Sequence, residues 1–171
     1  ELSKIKKMDL LKLKKGALIK KIIKKLTLEK SPSKQEVLTQ MNGLCKDTLM
    51  ETLCIKYVDV DVAKGILVAT MPVDSRVYQP MRILHGGATV ALAESVGSAA
   101  SQLLIDPSKE MAVGAEISAN HLKSARTGML IATAECVHHG MSSHLFQIKV
   151  ENEQGELISM VKLLNFIKQR K

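Results

Sequence analysis

From residue 53 to the C-terminus, apolar side chains recur mostly at every second position, the period of strands with one buried face. Segments 54–61 and 66–71 flank a turn at Lys64 and Gly65. Val113, Ala115, Ile117 and Ala119 alternate with polar neighbours, and the residues of 129–138 do the same. Phe146, Ile148 and Val150 face one way, Gln147, Lys149 and Glu151 the other. After a turn at 152–155, residues 157–167 supply the last strand. Pro72, Asp74 and Pro80 mark an extended loop, and the stretch from about Gly86 to Leu104 is the one long helical segment of this region. Ahead of it, Ser33 is placed to cap a helix over residues 34–50. A long apolar helix set early in a consecutive antiparallel sheet is an α+β pattern, with the sheet wrapped around that helix.

Residues 10–28 carry a different pattern. Leu11, Leu18, Ile22 and Leu26 fall at helical spacing among lysines, which predicts a basic amphipathic arm. Ser31 to Ser33 serve as a linker, so residues 1–33 are expected to form the arm and 34–171 the domain. This division changes the meaning of the net charge of +8. Residues 1–30 hold eleven lysines against three acids, and the remaining chain has 14 basic and 14 acidic side chains. The domain is neutral and the chain has only two Tyr and two Phe, so it lacks what backbone neutralisation or base stacking on nucleic acid requires. The arm could lie on an anionic membrane, but a solvated or subunit-packed extension is the favoured expectation.

Cys45, Cys54 and Cys136 are three in number without Cys-x-x-Cys spacing, which suits reduced thiols filling the core in a cytoplasmic protein. His138 and His139 are adjacent on a strand and are expected to face opposite ways. With no cluster at ligand spacing, no metal is expected.

Candidate chemistry lies on the long helix. Leu92, Val96, Ala99 and Leu103 form its apolar stripe, and Gly87, Ala91, Glu94, Gly97 or Ser98, and Ser101 form a second stripe with one carboxylate among small residues. Gly costs a helix about 1 kcal/mol relative to Ala, so Gly97 calls for close approach of a ligand or another backbone. An ordinary surface Glu94 beside a packing surface is the competing reading. At the helix start, Gly86 and Gly87 offer unpaired N–H groups suited to an oxyanion. Gly86 and Glu94 are eight residues apart, about 12 Å along the axis, too far to act on one carbonyl. An enzyme built on both would draw them from two copies of the helix.

The run Met71, Pro72, Val73, Asp74, then Gln79, Pro80, Leu84, His85, Gly86, Gly87 and Ala88, then Leu92 to Ser98, resembles hotdog-fold acyl-CoA thioesterases of the phenylacetate-pathway and 4-hydroxybenzoyl-CoA type. The likeness continues through Glu116, Ile117, Asn120, His121, Lys123 and Ser124 and through Gly140, Ser142 and Ser143, and covers about residues 40–167. The resemblance implies a hotdog fold, hydrolysis of an acyl-CoA to free acid and coenzyme A, and membership of the branch that uses a helix Glu. It gives Glu94 the role of nucleophile or general base, and Gly86 of the partner copy the role of oxyanion donor with Gln79 assisting. Ser98 would hold Glu94 or water; His85 would either act at the site or cap the helix. It also implies that His121, Lys123, Arg126, Ser142, Ser143 and Lys162 contact coenzyme A, that no separate cofactor is used, and that the chain forms homodimers joined into a homotetramer. Arg82 and Cys54 stand where relatives commonly have Gly, and Met141 where they often carry a cation. Two other functions compatible with these residues are an enoyl-CoA hydratase or dehydratase on the same fold, and a non-catalytic acyl-CoA binder. The acyl group, aryl or aliphatic, is left open.

Overall fold

The computed structural model describes residues 32–170. The chain divides into two units, Glu1–Ser33 and Lys34–Lys171, and the second is described here. The basic arm of residues 10–28 lies outside the described residues. Two helices lead in: α1 (Lys34–Gly43) and the single turn α2 (Leu49–Thr52). The expected continuous helix over 34–50 is therefore broken. Gly43 ends α1, Asp47 takes a left-handed φ of 58°, and Thr48 caps α2 by accepting from Met50 N–H. Cys54 closes α2 in the same left-handed region, so the first strand starts at residue 56 and not at 54.

Strands β1 (Lys56–Asp61) and β2 (Ile66–Pro72) form a hairpin, and the 72–85 loop contains a helical turn at Ser75–Val77. Then come α3 (Gly86–Leu103) and four strands, β3 (Glu110–His121), β4 (Met129–His139), β5 (Ser143–Asn152) and β6 (Leu157–Gln169). All six pair antiparallel in the order β1-β2-β4-β5-β6-β3. α3 packs against β2 through β6. Leu67, Leu92, Val96, Phe146, Ile148 and Leu163 meet between helix and sheet, each at most 1% exposed. Burial of this apolar surface at roughly 25 cal/mol per Å² holds α3 inside the curled sheet.

The alternation expected on β5 is observed: Phe146, Ile148 and Val150 are buried, Gln147 and Lys149 exposed. On β3 the alternation breaks. A bulge between Gly114 and Glu116 admits Ala115 as an extra residue, so Gly114 faces α3 together with Ile117, three positions on. β3 is an edge of the sheet, twelve residues long.

Candidate active site

The helix start is built by the loop before it. Tyr78 bridges Leu84, Gln79 N–H donates to Ile83 O, and His85 N–H donates to Val77 O, which folds residues 77–85 back on themselves. The Gln79 side-chain amide donates to Leu84 O at 3.3 Å. His85 is the N-cap: its Nδ1 accepts from Gly87 N–H at 2.8 Å, and its carbonyl accepts from Ala88 and Thr89. An accepting Nδ1 leaves the neutral ring's proton on Nε2. Of the first four amides of α3, these bonds satisfy three. Among the described residues nothing accepts from Gly86 N–H, which sits at the positive end of the helix dipole and lines a cavity of about 300 Å³.

His121, at the end of β3, closes this cavity. Its Nδ1 shares a 2.8 Å hydrogen bond with Ser159 Oγ, and its Nε2 lies 2.6 Å from where a Cβ on Gly86 would be. Residue 86 is glycine because the imidazole occupies the space a side chain would need. Gln79, Thr89, Lys123 and Ser124 also line the cavity, and Lys123 forms an exposed ion pair with Glu156 at 2.8 Å.

Glu94 stands two turns along α3, exposed, in a separate cavity of about 120 Å³ with Gly114, Glu116 and Leu163. A Cβ on Gly114 would lie 2.8 Å from Glu94 Oε1, so the glycine beside the bulge makes the seat of the carboxylate. Ser98 Oγ donates to Asn165 Oδ1 at 3.3 Å, not to Glu94. The C-terminal part of the stripe of small and polar residues on α3 is seated on the sheet. Glu94, Ser98 and Ser101 lie over the transverse row Gly114, Asn165 and His144 on β3, β6 and β5. Ser101 is fully buried against His144 Nδ1 at 2.8 Å. Gly97 is approached not by a ligand or another backbone, as expected, but by side chains of the sheet: its Cβ would meet Leu163 Cδ2 at 2.6 Å and Ile148 Cδ1 at 3.2 Å.

Asn165 and His144 were not among the residues anticipated. Both occupy apolar-phase positions, Asn165 in step with Val161 and Leu163, and His144 with Phe146 and Ile148. A polar residue in the buried phase of a strand was the signal available. Burial lowers the basicity of His144, and the neighbouring His139 and His138 add to that effect. His139 and His138 are themselves exposed, and the His139 ring packs edge-on against His144 with centroids 4.5 Å apart.

The residues expected to hold coenzyme A are not gathered in one place within a chain. His121 and Lys123 line the Gly86 cavity, and Arg126 follows in the exposed loop, where its carbonyl accepts from Tyr78 OH. Ser142 and Ser143 lie at the opposite end of the sheet, beside the Asn165–His144 row. Lys162, between buried Val161 and Leu163, projects from the outer face of the sheet toward Glu116. Cys45, Cys54 and Cys136 are free thiols, and burial raises the pKa of Cys45 and Cys136.

The chain is similar in sequence and fold to known proteins. The family model described as Thioesterase superfamily matches residues 81–159. The sequence is 42% identical over 119 residues to PA1618 of Pseudomonas aeruginosa, covering 70% of this chain and 81% of that one. A crystal structure of a mutant of that thioesterase superposes with a TM-score of 0.76 at 36% identity, over 83% of this chain and 98% of the other. The 1,4-dihydroxy-2-naphthoyl-CoA hydrolase of Escherichia coli is 38% identical over 130 residues, 76% of this chain and 93% of its own. The chain with this curled antiparallel sheet thus belongs to the thioesterase superfamily and is a hotdog-fold thioester hydrolase.

Proposed function

We propose that the protein hydrolyses an acyl-CoA thioester at sites shared between two copies, with Glu94 of one and Gly86 of the other acting on the same carbonyl. One observation carries this reading: the two half-sites are attached to the same edge strand. Glu94 sits over Gly114 and Gly86 sits under His121, six strand steps or about 20 Å apart along β3 with Ala115 bulged out. They cannot meet within one chain. Antiparallel pairing of β3 with its own copy, centred on Ser118 once the bulged Ala115 is left out of the count, sets Gly114 of each chain opposite His121 of the other and joins the halves twice. It also covers a long edge of unpaired backbone groups.

In such a site the Gly86 N–H stabilises the oxygen that becomes negative as the thioester is attacked, and Gln79 is the nearby side-chain donor. Glu94 either takes a proton from water or attacks directly. His85 is spent as the cap and fixes the direction of the Gly86 amide. His121, Lys123 and Arg126 beside the oxyanion end, with Ser142 and Ser143 of the other chain, are the proposed coenzyme A contacts. Lys162 and the exposed Val137 and Phe166 on the outer face support stacking of two dimers into a tetramer, the arrangement in which Lys162 could reach a ligand of another dimer. Free thiols fit a cytoplasmic setting. No separate cofactor or metal enters this chemistry.

The test is complementation between chains. Glu94→Gln and Gln79→Ala are each expected to be at least tenfold impaired over a panel of acyl-CoAs that begins with aromatic ones, the class named for the Escherichia coli relative. Mixing them by unfolding and refolding at equal amounts gives about half mixed dimers, each with one intact site, and restores about a quarter of wild-type activity. No recovery places both residues in one chain's site and overturns the shared arrangement. Full activity of Glu94→Gln overturns the role of the carboxylate.

A further inference from the structure

We infer that Asn165 is a positioning residue that makes the Ser98 hydroxyl a hydrogen-bond acceptor for the attacking water. The inference rests on the catalytic role proposed for Glu94 and selects general-base over nucleophilic action.

Asn165 is fully buried on β6, an unusual place for an amide, directly beside Gly114 in the sheet. Its orientation follows from its neighbours. The Gly97 carbonyl lies 3.5 Å from Nδ2, and a carbonyl can only accept, so the amide nitrogen faces the helix backbone and Oδ1 faces Ser98. Oδ1 then takes the only proton Ser98 has. The hydroxyl cannot donate to Glu94, one turn earlier on the same helix, and its lone pairs are what remain for the space between them.

A water in that space donates one proton to the Glu94 carboxylate and the other to Ser98 Oγ, which directs an oxygen lone pair at the thioester carbon. Glu94 removes the first proton as the C–O bond forms, and the carbonyl oxygen becomes an oxyanion held by Gly86 N–H of the partner copy. The C–S bond then breaks, and the proton passes from Glu94 to the departing sulfur, giving the carboxylic acid and the thiol. A Ser98 that donated to Glu94 instead would compete with the water for the carboxylate and rotate its own lone pairs away from the water. Asn165 decides between the two arrangements.

The experiment is a kinetic double-mutant cycle on the full chain, with Asn165→Leu, Ser98→Ala and the pair, alongside Glu94→Gln. Expected for Asn165→Leu is a loss in kcat of about ten- to a hundredfold, the scale of a small misplacement of a reacting group, with KM within about twofold. In the Ser98→Ala background the same substitution should cause no further loss. An unchanged kcat, losses that multiply, or a change confined to KM would each overturn the inference. Asn165→Ser, smaller and still polar, serves if Asn165→Leu fails to fold, and the same criteria apply to it. The two proposals fail separately: an inactive Glu94→Gln with a fully active Asn165→Leu removes only this one, whereas an active Glu94→Gln removes the reading beneath it.

Discussion

Single positions in this chain are governed by what lies opposite them. Gly97 faces Leu163 and Ile148, both fully buried, with no room for a methyl group. Gly97→Ala gains about 1 kcal/mol of helix propensity but overpacks a closed core at about 1–3 kcal/mol. The core outweighs the helix, and a lower urea midpoint without loss of helix signal is the expected result. Arg82 shows the opposite situation. It holds a φ of 59° with its side chain exposed and, among the described residues, without an ion pair. A left-handed conformation costs a side-chain-bearing residue roughly 1 kcal/mol, so Arg82→Gly should raise the melting temperature by a few degrees. Cys54, at φ 54°, is the other position where glycine is common in the resembled family. Both departures from the resembled family thus fall where the backbone itself favours glycine, which the sequence pattern could not show.

At the scale of elements, the informative contact is between α3 and the row Gly114, Asn165 and His144. Ser98 and Ser101, three residues apart on the helix, each hydrogen-bond a buried polar residue on adjacent strands. His144 makes this layer sensitive to pH. Ser101 of α3 hydrogen-bonds it, the His139 ring of β4 packs on it, and His138 of β4 and Glu110 of β3 act on it electrostatically; burial with the two histidines depresses its pKa more than Glu110 and the Gly140 backbone raise it. With the folded pKa below the unfolded one, the unfolded chain binds more protons as pH falls through about 6.5. The contribution is whole above that value and is lost progressively below it. Urea midpoints at pH 7.5 and 5.5 should therefore differ more in the wild type than in His144→Asn, and an equal difference in both would refute the assignment. The element boundaries were legible where the period was long, as in α3 and β5. They failed at residues 44–55, where left-handed turns at Asp47 and Cys54 interrupt a helical composition.

For the whole molecule, the proposed shared site is complete only where the edge strand β3 meets its own copy. Ser118 falls at the expected twofold centre and is exposed. Ser118→Lys would place two cations near each other across that centre, a destabilising cross-strand pair. Sedimentation should then show dissociation at low concentration, with specific activity rising as protein concentration increases. Concentration-independent activity in a monomer would contradict the shared site. The sequence by itself determined the α+β class, the long central helix and the separation of Glu94 from Gly86. Those follow from periodicity and from the fixed rise of a helix, which need no knowledge of distant partners. Tertiary structure decided that the polar stripe of α3 is seated on the sheet, that His121 covers Gly86, and that Asn165 takes the Ser98 proton. Each of these depends on strand register and on the bulge at Ala115. A one-residue shift there would turn Gly114 away from Glu94, and nothing local in the chain specifies which residue lies opposite.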